Sequence, residues 1–375
     1  MRKHAIITVP VASRPDTNAR VGALLRDLAA VQKSQQSRWG YKRAASAILT
    51  LEEPLEDLLQ PDGTLRKIPG IGPASTRVIL EYLKTGTSPT VEKAVEESAR
   101  ARDVKRSREL REHFLSRSQV AEALRDPKLR GPKVKDYFGD LQMHSEYSDG
   151  GDSLGDIVEG AIARGWKYCA VTDHSYGLPI AGGVPMDKLQ QQHREIDALN
   201  KQYKGRFRLL KGIEANILAD GSVDMTPSEL RTLEIVVASP HSKLRSTDDQ
   251  TPRMLRAVET PGVHILGHPR GRMFGSRPGV NADWDRVFAA AAESGVAIEI
   301  DGDPSRQDID YTLALQAIKS GCVFAVDSDA HAVSQFDFTD IALAHARLAG
   351  VPRARIINCW PLEKLLAWAA TAWDR

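Results

Sequence analysis

The chain lacks any run of about 18 apolar residues, so no membrane-spanning helix is expected. Cysteine is scarce. Cys169, Cys322 and Cys359 are isolated and odd in number, which does not make a disulfide framework. Cys169 and Cys322 fall in apolar strand-like runs and read as packed core thiols. The opening MRKHAIITVPVASRP is basic and then apolar, but too briefly for a secretory h-region, so a cytoplasmic protein is the expectation. What remains is an ordinary globular composition, 42% apolar and 27% charged, with room in 375 residues for two or three domains.

A formal net charge of +2 conceals an asymmetry. Residues 1–135 hold 26 Lys and Arg against 16 Asp and Glu, whereas residues 136–375 hold 25 against 33. A basic front favours a polyanionic partner, and an acidic back suits a cation site. The front reads as helical. RVGALLRDLAAVQ and YKRAASAILTL space their apolar residues by three and four. RKIPGIGPASTRVILEYLKTG is a Gly/Pro turn opening an amphipathic helix that Gly86 closes. The charged stretch from Thr90 to about Lys135 has weak apolar periodicity and reads as a basic helical connector. The expected domains are therefore 1–90, a connector 91–136, and 137–375.

From Tyr137 the pattern changes. Seven short apolar runs alternate with helix-length segments: FGDLQMH, KYCAVTDH, RLLKGIEANI, LEIVVASPH, VHILGHP, VAIEIDG and CVFAVDSDAH. A parallel α/β barrel of seven strands is the natural closure, with an open doubly wound sheet as the alternative. Each run ends in His, Glu or Asp. The ends are His144 with Asp149, His174, Glu214, His241, His268, Glu299 with Asp301, and Asp329 with His331. Successive ends lie 27 to 40 residues apart, one strand-helix unit per step. In a parallel barrel these ends meet on one rim, where active sites are built. Five of the ten histidines point there; His4, His113, His193, His264 and His345 need no function. An all nitrogen and oxygen donor set suits zinc, manganese or iron(II), and so many donors suit more than one ion.

GDLQMHSEYSDG, AVTDHS, GIEANI, ASPHS, LGHPRGR and VDSDAH resemble, in order, the motifs of the PHP family, the polymerase and histidinol phosphatase superfamily of metal-dependent phosphoesterases. The resemblance implies a distorted seven-stranded barrel, (β/α)7, holding two to three divalent ions. It implies a first metal at His144, Glu214 and Asp329, with Gln142 where the family usually has His. A second would take Glu214, His241 and His268, and a third Asp149, His174 and His331. Gln142 can still ligate, though less well than imidazole, or stand behind a ligand. Asp149 with Gln142 is the version associated with PHP domains of bacterial family X DNA polymerases. The implied chemistry is attack of metal-activated hydroxide on phosphorus, with the hydroxide near Glu214 and Arg272 or Arg270 clamping a phosphate.

In the front half, IPGIGPAS resembles the hairpin of a helix-hairpin-helix motif, and residues 16–90 resemble the lyase-type N-terminal domain of family X polymerases. The resemblance implies DNA phosphate contact through Gly70, Ile71 and Gly72, with Lys67 and Arg77 beside them. The helix after the hairpin begins PASTRV, without the lysine a Schiff-base lyase uses there. About 50 residues separate that helix from the barrel, too few for a polymerase core. The expectation is a phosphoesterase acting on DNA, as 3′–5′ exonuclease, 3′-phosphatase or abasic-site endonuclease. A histidinol-phosphatase-like small-molecule enzyme and a non-catalytic DNA-binding scaffold are the alternatives. No nucleotide cofactor is expected, and oligomeric state stays open.

Overall fold

The computed structural model describes residues 15–374; the N-terminal apolar run and His4 lie outside them. The chain divides into two compact units. The helical unit runs to Asp126 and takes in Phe274–Ser276. Its first helix, α1 (Thr17–Val31), starts where the Asp16 side chain accepts from Ala19 N, and Ser34 caps α2 (Gln35–Leu49) in the same way. α3 (Pro73–Thr85) begins with Gly72 as N-cap and Pro73 in the first turn, and it ends on Gly86 at φ 76°. α4 (Pro89–Glu96), α5 (Ala101–Glu109) and α6 (Arg117–Arg125) follow. Val21, Leu25, Ala45, Ile48, Val78 and Ile79 form the core of this unit. Val91, Val95 and Val104, from the stretch expected to be a connector, belong to the same core.

The second unit is an α/β barrel with a parallel sheet in sequential order, β1 (Tyr168–Val171), β2 (Arg208–Asn216), β3 (Ile235–Ser239), β4 (Ile265–Leu266), β5 (Ala297–Asp301) and β6 (Phe324–Asp327). Sequential order is what a barrel requires and a doubly wound sheet lacks. The ladder has six strands among the described residues, not the seven expected. FGDLQMH takes the seventh place as an irregular segment. Its carbonyls accept on the β1 side, from Ala170 N to Asp140 O at 2.9 Å and from Thr172 N to Met143 O at 2.9 Å. On the other side His144 N donates to Ala330 O at 2.8 Å, within a parallel bridge of Met143 to Ala330. Phe138 N donates to Asn358 O at 2.8 Å, and three further donors go to side chains: Leu141 N to Asp327 Oδ1, Gln142 N to Asp140 Oδ1 and Met143 N to Thr172 Oγ1. Carboxylates and a hydroxyl thus replace the partner carbonyls that would make a ladder. Gly139 is required at this seam, since a Cβ there would lie 1.7 Å from Tyr168 O. All three cysteines are buried free thiols. No helix among the described residues is long and apolar enough to cross a membrane.

Candidate metal centre

Parallel strands deliver their C-terminal ends to one rim, and Glu214 near the end of β2 is the hub of that rim. Its Oε1 lies 2.8 Å from His268 Nε2 and 3.5 Å from His241 Nε2. Its Oε2 lies 2.8 Å from His174 Nδ1 and 3.6 Å from His144 Nε2. His144 Nε2 also stands 3.1 Å from Asp329 Oδ1. Asp149 Oδ1 is approached by His331 Nε2 at 3.4 Å, His174 Nε2 at 3.6 Å and His144 Nδ1 at 3.9 Å. The His144 ring stacks between those of His174 and His331, with both centroid separations 4.3 Å.

Three groups place one donor atom per residue within 4.8 Å of one another: His144, Glu214 and Asp329; His174, Glu214 and His241; and His144, Asp149, His174 and His331. The first is the triplet implied by the motifs. In the second His174 takes the place expected for His268, and the third gains His144. Several of the atoms here have no hydrogen-bond partner although buried: His144 Nδ1, His241 Nε2, His268 Nδ1 and Gln142 Oε1. Lone pairs collected out of water and left unpaired fit a cation. Two rings are held from behind, His331 Nδ1 by Asp329 O at 2.8 Å and His241 Nδ1 by Asn216 Oδ1 at 3.3 Å. These contacts turn the Nε2 atoms inward, as outer-shell contacts do around metals.

Electrostatics follow from burial opposed by neighbours. Burial pushes the Glu214 carboxyl upward, but His174 and His241 outweigh it and hold it well below its ordinary value. Burial likewise opposes ionisation of Asp329, and Arg306 and His144 overcome it. His331 is pushed up to about 9, burial being outweighed by the hydrogen bond to Asp149 and the charge of Asp329. The backbone is strained at two of these positions, His268 at φ 23° and Asp329 at φ 53°. Gly267 admits no side chain, since a Cβ would meet Ser239 Oγ at 2.3 Å and Gln142 Oε1 at 3.0 Å.

Arg270 and Arg272 do not open onto this cluster. Arg270 binds Asp308 at 3.1 Å and Asp310 at 2.5 Å. Arg272 donates to Arg306 O and Gln307 O and lies 3.2 Å from Asp310. The arginine that reaches the cluster is Arg306, whose Nε is 3.2 Å from Asp329 Oδ2. It sits five residues beyond the end of β5 in DPSRQD, a strand-end loop whose charge was the available signal. Asn216, inside GIEANI, and Asp173 were also missed. Asp173 accepts from Ser145 N and Oγ, Ser148 Oγ and Gln192 Nε2, and so fixes the turn that carries Asp149.

In the helical unit Gly70 takes φ 80° and Gly72 caps α3 without a side chain, leaving the first-turn N–H groups of α3 without a side-chain cap. Lys67, Ile71 and Arg77 line a groove of about 730 Å³ with Ile68, Leu80 and Lys84. Val78, on the turn after the hairpin, is fully buried in the core.

Residues 140–301 match the family model of the PHP domain, and residues 16–88 that of a helix-hairpin-helix domain. The DNA polymerase/3′-5′ exonuclease PolX of Bacillus subtilis is 34% identical over 61% of this chain; the match covers 40% of that protein, so this chain spans less than half of it. A probable phosphatase of Thermoanaerobacter sp. is 28% identical over 58% of this chain and 89% of its own length. The crystal structure of histidinol phosphate phosphatase from Lactococcus lactis, complexed with zinc, L-histidinol and phosphate, aligns with a TM-score of 0.44 and 17% identity over 57% of this chain and 92% of that one. Two successive parts of the chain are thus similar to known domains, the first to a helix-hairpin-helix domain and the second to a PHP domain.

Proposed function

We propose that the protein is a metal-dependent phosphoesterase that acts on DNA, as a 3′–5′ exonuclease, a 3′-phosphatase or an abasic-site endonuclease. The observation that carries this reading is the set of inward, unpaired donors around Glu214. His144, Asp149, His174, Glu214, His241, His268, Asp329 and His331 would hold two to three divalent ions of zinc, manganese or iron. Three carboxylates among them, Asp149, Glu214 and Asp329, balance half the charge of three divalent ions and three quarters of that of two. The bound ions would lower the pKa of water and neutralise charge developing on phosphorus.

The chain's own residues supply the rest. Glu214, ionised despite its burial, bridges the donors from both sides of the rim. Arg306 takes the anion-orienting part once expected of Arg272 and Arg270, because its guanidinium lies at the cluster while theirs are spent on Asp308 and Asp310. Gly70 and Gly72 would offer backbone N–H groups to a DNA phosphate, while the Ile71 N–H closes the hairpin turn on Ile68 O, and Lys67 and Arg77 flank the site.

The test is purified protein with manganese on 3′-recessed, 3′-phosphorylated and abasic duplexes, beside the double variant His241→Ala/His268→Ala. Turnover that needs both metal and the two histidines is expected. Absence of metal-dependent turnover on every duplex sinks the reading. The small-molecule reading draws support from the probable phosphatase of Thermoanaerobacter sp., which is matched over 89% of its own length. A higher kcat/KM on a small phosphate monoester than on any duplex would favour it.

A further inference from the structure

Trp39 stands on the outer face of α2 with 65% of its surface exposed. An indole is a large apolar body to leave in water, and the core does not need it. α2 is seated through Ala44, Ala45 and Ile48. The stripe that bears Trp39 continues at helical spacing through Lys42, Arg43 and Ser46, all exposed. Lys42 Nζ lies 6.0 Å from the indole centroid. Over its whole length α2 carries three cations, Arg38, Lys42 and Arg43, and no carboxylate.

The helix also runs beside the hairpin. A Cβ built on Gly70 would lie 3.9 Å from Ala47 Cβ. Eight residues separate Ala47 from Trp39, about 12 Å along a helix at about 1.5 Å per residue. A strand advancing about 3.4 Å per nucleotide covers that span in three to four nucleotides.

We propose that Trp39 is a stacking platform for an unpaired nucleobase of a DNA strand whose phosphate is held at the Gly70–Gly72 hairpin. This rests on the DNA reading above, and not on the chemistry of the barrel. An aromatic face beside lysine and arginine is the arrangement that binds single strands, because every base has a stacking face and the cations track the phosphates. A paired base hides that face, so a gap, flap or overhang is the ligand. A second copy of the chain is a poorer occupant, since two α2 faces would oppose Lys42 and Arg43 to their own kind.

The experiment compares full-length wild type, Trp39→Ala and Trp39→Phe by fluorescence anisotropy. The probes are a blunt duplex and the same duplex with a five-nucleotide 3′ overhang. Wild type should prefer the overhang. Trp39→Ala should weaken overhang binding roughly 5- to 150-fold and change blunt-duplex binding less than about twofold, and Trp39→Phe should retain most of the preference. Equal overhang binding by Trp39→Ala and wild type overturns the stacking role and leaves the DNA reading standing. Failure of wild type to bind either duplex overturns both. Self-association that Trp39→Ala abolishes, measured by sedimentation, overturns the proposal in favour of a second copy.

Discussion

The side-chain amide of Gln142 donates to Glu214 Oε1 across 3.1 Å, and His268 Nε2 meets the same oxygen at 2.8 Å. Position 142 is therefore a brace on the hub carboxylate, while its own Oε1 has no partner. The amide holds Glu214 in place but spends one of the carboxylate's acceptor positions. Histidine there would exchange a donor for an imidazole lone pair, a better ligand for zinc. Gln142→His should raise the metal retained after dialysis by about one ion per chain, measured by elemental mass spectrometry. Unchanged retention would mean that the brace, and not a weakened metal site, is what glutamine contributes.

Arginine substitutions should separate two roles. Arg270 and Arg272 converge on Asp310, whose carboxyl is held far below its ordinary value because their charges overcome its burial. Removing either arginine leaves a buried carboxylate short of a partner, which costs about 3 kcal/mol or more. Arg272→Ala should shift the urea midpoint accordingly. Arg306→Lys keeps the charge but loses the planar fork, so stability should change little. Its kcat should fall by about 10²-fold, the scale of one lost oriented donor. Equal stability losses in both variants would remove Arg306 from the site.

The order of strand ends was legible because a parallel barrel turns sequence period into a shared rim. His144, His174, Glu214, His241, His268 and Asp329 all come from that rule; the structure groups five of them by donor distance and sets His268 against Glu214 at 2.8 Å. Sequence pattern did not reveal where arginines point. LGHPRGR places two beside a histidine of the rim, yet Asp308 and Asp310, 38 and 40 residues beyond Arg270, capture them. Nor could alternation show that FGDLQMH leaves the ladder, because three of its central donors are claimed by Asp327, Asp140 and Thr172. Long-range side-chain competition is invisible to local period. The buried His264 and His345, by contrast, needed no function: one bonds Val236 N and Ala369 O, the other Tyr311 N and Gln307 Oε1.

Asn358 should prove essential to that irregular seam. Its Nδ2 donates to Gly139 O at 3.0 Å and Asp327 Oδ1 at 2.7 Å, and its Oδ1 accepts from Val326 N at 2.8 Å. Leucine, of similar size, would leave Gly139 O and Val326 N unpaired at about 1–3 kcal/mol each and take one of two donors from Asp327 Oδ1, which keeps Leu141 N. Asn358→Leu should lose about 3 kcal/mol or more in urea unfolding. A loss under about 1 kcal/mol would show that the seam is held elsewhere.

Acid stability should depend on His193, which lies on the helix Met186–Gln202 with a buried, unpartnered Nε2. Burial, helped by Lys211, pushes its pKa down to about 4. The unfolded chain takes up this proton near pH 6.5, before the folded chain does, so the unfolded state binds more protons between those values. Stability is therefore intact above about pH 6.5 and is lost as pH falls towards 4. Because the ring is partly exposed, the full shift is discounted to about 1 kcal/mol between pH 7 and pH 5. His193→Gln removes the titration, so its urea midpoint should fall less than that of wild type over this interval. Both chains are measured in chelator, where competition between protons and metal at the rim histidines plays no part. Parallel losses in the two chains would assign the acid sensitivity to other groups and leave His193 an inert part of its helix.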